Sequence, residues 1–214
     1  MATLYIIPHC DDELFCLGDI ISNLKKYEDI FVYLVCGNDS NRNGRFDEVF
    51  RKLQYANKQS KIYISKSDIY PLFSHDFVNL SDDRFTIESQ LKALFDKYSD
   101  IKRVVSCPDD GHTDHKFVND LVRISIRPDR NSMVDEVLEY FVPGSAKIGQ
   151  IDKYNIFKTL SCHEVSYMFT YFELYVDVLF GVNSYKSYNK FLEYNGTLCG
   201  AENAERYKQV FKII

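Results

Sequence analysis

Short apolar runs alternate with segments of helical periodicity over the first two-thirds of the chain. Runs typical of buried strands occupy residues 3–7, 30–36, 61–65, 102–107 and 134–142. Between them, apolar residues recur at helical spacing in segments 14–27, 45–57, 87–98 and 116–126. The strand segments lack a polar face, which is typical of parallel strands covered by helices on both faces. The pattern therefore predicts an α/β fold with an open, mostly parallel sheet.

The last third of the chain is less regular, and beyond about residue 150 the sequence predicts a helical C-terminal tail. No repeat, low-complexity block or Pro/Gly/Ser-rich linker interrupts the sequence, so residues 1–214 are predicted to form a single domain. A Rossmann-like sheet of this kind binds ligands at the carboxyl ends of its strands. The loops to consider for function are therefore 8–13, 37–44 and 108–115.

The composition narrows the classes of function. Hydrophobic residues make up 45% of the chain, enough for a sizeable core. The net charge of −5, from 26 basic and 31 acidic residues, argues against a nucleic-acid partner. No window approaches the roughly 18 uncharged apolar residues that a transmembrane segment requires. Six scattered cysteines and an N-terminus without the features of a secretory signal predict a cytoplasmic protein with reduced thiols.

Two of the predicted loops combine histidine with aspartate. Residues 8–13 read PHCDDE and place His9 beside three acids at the end of the first strand. Acids at the start of a helix are favoured by its dipole, but this does not account for His9. Residues 109–115, after the fourth strand, read DDGHTDH and hold two of the five histidines. The fold should bring both loops to the same edge of the sheet.

Three histidines and several aspartates on two such loops fit the requirements of zinc chemistry. A catalytic zinc ion takes three protein ligands from histidine and carboxylate and a water in the fourth position. The metal lowers the pKa of that water from about 15.7 to about 7. A remaining carboxylate would take the proton, and a remaining imidazole would face the substrate oxygen. A general base of this kind contributes roughly 10²- to 10⁴-fold to the rate.

These residues carry a family resemblance. The segment 8–13 followed by Gly18 resembles the Pro/Ala-His-Pro-Asp-Asp-Glu…Gly signature of the PIG-L/LmbE-like zinc-dependent N-acetyl-sugar deacetylases. The segment 110–115, DGHTDH, resembles the second motif of that family, Asp-x-His-Pro-Asp-His. The two motifs occur in the family's order, roughly 100 residues apart, and they are specific.

Three further segments support the resemblance. Residues 45–48, RFDE, are similar to the Arg-x-x-Glu of the family at the start of the second helix. Residues 196–200, GTLCG, and 204–207, AERY, are similar to its closing Gly-rich stretch and Ala-Glu-x-Phe. The resemblance thus touches both ends of the chain.

The resemblance implies a set of metal ligands. The residues at the matching positions are His9, Asp12 and His115. The implied cofactor is Zn²⁺, although a set of two histidines and one carboxylate also suits another divalent metal.

The resemblance also implies catalytic and substrate-binding roles. Asp11 would be the general base that deprotonates the water. His112 would stabilise the oxyanion or protonate the leaving amine, and Asp114 would orient its ring. Arg45 falls where the family contacts its sugar substrate, although an arginine at a helix start is often only solvated.

The sequence departs from the family pattern at some positions. Cys10 stands where the family usually has proline, and we expect its thiol to point into the core because small cysteines are commonly buried. Asp19 stands where a second glycine often occurs. The loop 37–44 lacks the usual Gly-Glu-x-Gly, which affects the expected substrate pocket more than the metal site.

The leading hypothesis is a hydrolase that removes an N-acetyl group from an amino sugar, a GlcNAc-type conjugate or glycan precursor, and releases acetate and a free amine. One alternative is a zinc amidase or esterase that acts on a non-sugar acyl group. Another is a catalytically inactive sugar- or nucleotide-binding module. The first loop lacks Gly-x-Gly-x-x-Gly, which disfavours a dinucleotide, and the intact metal and acid-base residues disfavour an inactive protein. The residues alone leave the choice of acyl substrate open.

Overall fold

The computed structural model describes residues 2–37, 42–68, 80–126, 134–143, 153–177, 179 and 185–212. Within these residues a seven-stranded sheet has the strand order β3-β2-β1-β4-β5-β7-β6. The strands are β1 (Ala2–Ile7), β2 (Ile30–Leu34), β3 (Ile62–Lys66), β4 (Ile101–Ser106), β5 (Glu136–Tyr140), β6 (Ile156–Leu160) and β7 (Asn203–Lys212).

The described residues form the α-helices α1 (Leu17–Lys25), α2 (Asn43–Ala56), α3 (Leu80–Lys97), α4 (Thr113–Ser125), α5 (Cys162–Phe172) and α6 (Tyr185–Cys199). Among them α1 contacts α5, and α3 contacts α4. Since crossovers between parallel strands are right-handed, the reversal of strand order at β1 directs the helices to opposite faces of the sheet. The predicted α/β fold with a mostly parallel, Rossmann-like sheet is confirmed.

The pairing of β1 with β4 creates the crevice in which such sheets bind ligands. β1 pairs in parallel with β2 on one side and with β4 on the other. The chain therefore adds β2 and β3 on one side of β1 and then crosses over to place β4 on the other side of β1. Every residue of β1 and β2 is buried, which matches their continuous apolar sequences. The loops that follow β1 and β4 emerge side by side at this switch point.

The prediction of a helical tail is only partly right and needs correction. Two helices, α5 and α6, do form beyond residue 150, but β6 precedes them and β7 follows them. β7 pairs antiparallel with both β5 and β6. The sequence of β7, NAERYKQVFK, lacks the apolar run typical of a buried strand, because several of its polar side chains form hydrogen bonds or ion pairs inside the protein. The ammonium group of Lys208, for example, lies 2.7 Å from the carboxylate of Glu139 on the neighbouring strand.

A buried carboxylate joins β7 to the start of α1. Glu205 accepts hydrogen bonds from the backbone N–H groups of Gly18 at 2.7 Å and Asp19 at 2.9 Å, and from the hydroxyl of Tyr207 at 2.7 Å. The N–H groups at a helix start have no partners within the helix, and the side-chain oxygens of Glu205 satisfy two of them. Burial at the same time raises the pKa of Glu205 to about 8. Glu205 is 1% exposed, so the contact is part of the core.

None of the helices in the described part of the chain is long and apolar enough to cross a membrane. The six cysteines are all free, and four of them, at positions 10, 16, 36 and 107, are buried.

Gly18→Ala should destabilise the protein. A Cβ atom at position 18 would lie 2.7 Å from Leu160 Cδ2 and 2.9 Å from Glu205 Cδ, so the Glu205 anchor would have to shift. We expect a loss of about 1–3 kcal/mol in the free energy of unfolding, measured by urea denaturation. The matched control is Gly44→Ala, because a Cβ atom there meets no atom within 4 Å. Equal stability of the two variants would contradict the packing argument.

Candidate metal centre

The two histidine-containing loops meet at the switch point between β1 and β4. The three predicted ligands lie together there. The carboxylate oxygen Oδ2 of Asp12 is 3.1 Å from His9 Nδ1 and 3.2 Å from His115 Nε2. One ligand atom from each of the three side chains lies within 4.8 Å of the others, and all three residues are buried. Two segments that are distant in the sequence thus supply one compact group of side chains that could hold a metal ion.

Each of the two histidines also contacts a carboxylate through its other ring nitrogen. His9 Nε2 lies 2.6 Å from Asp114 Oδ2, and His115 Nδ1 lies 2.8 Å from Asp110 Oδ2. Carboxylates in this position fix the tautomer and orientation of histidines that bind metals. The side chains are therefore arranged as in a metal site that has its supporting hydrogen bonds in place.

Asp110 is a residue to which the sequence analysis gave no role. Its second oxygen, Oδ1, accepts a hydrogen bond from the backbone N–H of His112 at 2.9 Å, so it also shapes the loop. The sequence feature that could have indicated a role for Asp110 is its place in the second motif, five positions before His115. The contact between its carboxylate and His115 Nδ1 is evident only in the structure.

A second group, formed by His9, His112 and Asp114, also brings ligand atoms within 4.8 Å of one another. It shares His9 with the first group, but His112 is exposed. The group around Asp12 is the better metal site, because with a metal there His9 and His115 both keep their supporting carboxylates. In the second group, Asp114 would have to exchange its contact with His9 for a metal.

The electrostatic environment favours positive charge at the two buried histidines. Burial lowers the pKa of His9, but hydrogen bonds to Asp114 and Asp12 more than compensate and hold it well above its usual value. Burial likewise lowers the pKa of His115, but the charge of Asp12 and the hydrogen bond to Asp110 raise it to about 10. A divalent cation would satisfy the same demand, so the donor set and the charge both fit a metal.

Asp11, the predicted general base, lies at the edge of this group. Its backbone has φ 143° and ψ −23°, values that side-chain-bearing residues rarely adopt. Its Oδ2 is 3.3 Å from Arg42 Nη1, and the carboxylate is partly exposed. Burial and the neighbouring charge of Asp12 raise the pKa of Asp11 to about 7. The carboxylate is thus accessible and readily exchanges a proton near neutral pH.

His112 caps the N-terminus of α4 and presents an imidazole to the solvent side of the site. Its Nδ1 accepts a hydrogen bond from the backbone N–H of Asp114 at 3.3 Å, so the neutral ring carries its proton on Nε2. Burial and the positive charges of His115 and His9 lower the pKa of His112. Asp114 thus meets His112 through its backbone, while its carboxylate lies against His9.

Two arginines lie at the start of α2, and one of them, Arg42, contacts Asp11. Arg45, the predicted substrate residue, pairs with Asp177 through Nη2 at 2.6 Å, and its Nη1 is buried without a partner among the described residues. Arg42 contacts Asp11 instead, a role that the sequence analysis did not single out. Of the loop 37–44, residues 38–41 lie outside the described part of the chain.

Cys10 is buried, with 1% of its surface exposed, as the sequence predicts. Its thiol donates to Asn43 Oδ1 at 3.2 Å, and the Asn43 amide donates to the backbone carbonyl of Gly37. The thiol at the usual proline position thus joins the first loop to the start of α2.

No family model matches this chain, and no curated protein does. Solved structures share its fold. A deacetylase of the teicoplanin biosynthesis pathway, solved with teicoplanin, has a TM-score of 0.73 at 13% identity and covers 99% of this chain and 100% of its own. N,N'-diacetylchitobiose deacetylase from Pyrococcus horikoshii has a TM-score of 0.64 at 15% identity and covers 98% of this chain and 83% of its own.

A third neighbour carries out a different reaction. The 4-carboxy-2-hydroxymuconate hydratase GalB from Pseudomonas putida has a TM-score of 0.62 at 13% identity and covers 100% of this chain and 97% of its own. The comparisons therefore establish the fold. The deacetylases among the neighbours support the family resemblance that the motifs indicate, and the chemistry has to be argued from the site.

We expect the purified protein to bind close to one divalent ion per chain. Asp12→Asn should abolish tight binding because Asp12 contacts both histidines. Asp110→Asn should weaken it by about 10- to 100-fold, as is typical when the carboxylate behind a histidine ligand is lost. Both effects are measured by titration with Zn²⁺ in a competing chelator.

The control for these variants is Asp120→Asn, since Asp120 is an exposed aspartate of α4 that pairs with Lys116. It should bind Zn²⁺ as the unchanged protein does. Undiminished binding by Asp12→Asn would exclude this group as the metal site.

Proposed function

We propose that this chain is a metal-dependent hydrolase that removes the N-acetyl group from an amino sugar and releases acetate and a free amine. The observation that carries the proposal is the convergence of His9, Asp12 and His115, with Asp11 and His112 beside them. The chain would act as a single, cytoplasmic domain on a small N-acetylated sugar. The two deacetylase neighbours support this class of substrate.

The proposed cofactor is Zn²⁺, held by His9, Asp12 and His115. When bound, such an ion lowers the pKa of a water molecule and polarises the carbonyl oxygen of an amide. Asp110 and Asp114 would keep the two imidazoles in the orientation for binding through their hydrogen bonds.

Asp11 would take a proton from the attacking water. The water oxygen forms a bond to the acetyl carbon, and the bond from that carbon to the sugar nitrogen breaks. The amine leaves with the electron pair of the broken bond and gains on its nitrogen the proton that Asp11 took from the water. Asp11 is suited to this role because its carboxylate is partly exposed and its pKa is raised to about 7 by burial and by Asp12.

His112 would donate from Nε2 to the oxygen that gains negative charge in the transition state. The backbone N–H of Asp114 occupies Nδ1, which leaves the proton on the other nitrogen. Because the pKa of His112 is lowered, the ring is a neutral donor at physiological pH. A positioned donor of this kind is typically worth about 10²- to 10³-fold in kcat.

Arg45 would bind the sugar through its exposed guanidinium. About 30% of its side chain is exposed, and Asp177 holds Nη2. Because Nη1 is itself buried, a hydroxyl or an anionic group of the substrate would meet the exposed part of the guanidinium.

Incubation with N-acetylglucosamine or N,N'-diacetylchitobiose should release acetate, and a chelator should stop the release. Asp11→Asn should keep its metal but lose about 10²- to 10⁴-fold in kcat, because the base is gone while the ligands remain. Acetate is measured with a coupled enzymatic assay and metal by elemental analysis.

Asp120→Asn again serves as the control and should turn over normally. If the metal-loaded protein releases no acetate from free, nucleotide-linked or lipid-linked acetamido sugars, the result rejects the amino-sugar substrate and favours the alternative of a non-sugar acyl compound. Unchanged kcat in Asp11→Asn would remove Asp11 as the base.

Arg45→Ala should raise KM for the same sugars by about 10- to 100-fold and leave kcat nearly unchanged, since a charged hydrogen bond to the substrate is lost. The control is Arg51→Ala, on the same helix, where the guanidinium pairs with Glu48 at an exposed position. Steady-state kinetics measure both. An unchanged KM for Arg45→Ala would mean that Arg45 only pairs with Asp177.

A further inference from the structure

The backbone of Asp11 has to be held in place. Its φ of 143° lies in a region that favours glycine. A side-chain-bearing residue persists there only when its surroundings hold it. Two of the proposed ligands are close to Asp11 in the sequence: His9 lies two residues before it, and Asp12 directly follows it. A change of φ at Asp11 would therefore move the base and reposition the ligands.

Glu13 makes the contact that holds this conformation. Its Oε2 accepts a hydrogen bond from the backbone N–H of Asp11 at 2.9 Å. The contact is of the kind that a helix-capping residue makes when its side chain accepts from a backbone N–H at the helix start. Full burial sets it apart from an ordinary cap, because Glu13 is 0% exposed. A buried carboxylate is costly unless several donors surround it.

The second donor to Glu13 comes from the far end of the chain. Tyr175 donates its hydroxyl to Glu13 Oε1 at 2.6 Å across a sequence separation of 162 residues. Tyr175 is also 0% exposed, and it ends a short 3-10 turn, Glu173–Tyr175, that follows α5. Two residues further on, Asp177 pairs with Arg45. The segment 173–177 thus supports the base on one side and the proposed sugar-binding arginine on the other.

We propose that Glu13 and Tyr175 are positioning residues of the active site: Glu13 holds the N–H of Asp11, and Tyr175 fixes Glu13, so that Asp11 keeps its unusual backbone conformation beside the metal ligands. The catalytic part of this inference rests on the proposed function, and the structural part rests on the hydrogen bonds alone. Neither residue touches the substrate or the metal in this arrangement.

The test uses Glu13→Gln, Tyr175→Phe and the double variant in the full chain, each loaded with Co²⁺. The visible absorption of Co²⁺ reports on the geometry of its ligands and needs no substrate. In Glu13→Gln one carboxylate oxygen becomes an NH₂ group, so the side chain keeps one acceptor oxygen and can no longer accept from both Asp11 and Tyr175. We expect Co²⁺ to bind about 10-fold more weakly, with an altered spectrum. In acetate release, kcat should fall at least 10-fold with little change in KM.

Tyr175→Phe should shift the same readouts in the same direction by a smaller factor. The double variant should be no worse than Glu13→Gln alone, because both act through one hydrogen-bonded chain. The matched control is Tyr171→Phe: Tyr171 is also buried, at 1% exposure, but its hydroxyl bonds Tyr167 within α5. It should bind Co²⁺ with the unchanged spectrum.

The inference is overturned if Glu13→Gln and Tyr175→Phe both keep the affinity, spectrum and kcat of the unchanged protein. If Glu13→Gln does not fold, Tyr175→Phe decides, and a spectrum identical to that of Tyr171→Phe would count against it. The outcome is separable from that of the proposed function. Shifted Co²⁺ binding in a protein that releases no acetate would support the positioning role and reject the deacetylase.

Discussion

The parallel pairing of β1 with β4 is the interaction on which the site depends. Ile6 pairs with Ser106, so the two strands end at nearly the same level. The residues that follow each strand then face each other across the crevice at the switch point. Asp12 and His115 meet there although 103 positions separate them. A shift in this register would move the ligands of one loop past those of the other.

A second constraint is the negative charge of the aspartates that the pairing of β1 with β4 brings together in the crevice. Asp12, Asp110 and Asp114 are nearly fully buried around the two imidazoles of His9 and His115. Buried carboxylates are costly unless they are paired or coordinate a cation. These carboxylates raise the pKa values of His9 and His115 above their usual range. The same arrangement orders the two imidazoles and favours an ion of charge two.

The sequence predicts those parts of the molecule whose causes are local. The apolar runs at 3–7 and 30–36 predict the central strands, because those strands are buried on both faces. The two motifs predict which side chains lie at the crevice, because strand ends fix the positions of their loops. β7 is not predicted from the sequence, because a polar residue such as Glu205 indicates an exposed position. Its burial depends on a hydrogen bond from the backbone N–H of Gly18, which is distant in the sequence. The contact of Asp110 with His115 is not predicted either, because the spacing of apolar residues carries no information about contacts between individual side chains.

The C-terminal third shows what such distant partners contribute. Glu205 fixes the start of α1, which directly follows the 3-10 turn Asp12–Cys16 that contains the proposed ligand Asp12. Tyr175 fixes Glu13 within that same turn. Two buried acidic side chains therefore hold this turn, one near each end, and both contacts depend on residues beyond 170. The proposed catalytic side chains follow strands of the parallel half of the sheet, whereas the antiparallel strands and their helices support the backbone of the proposed site.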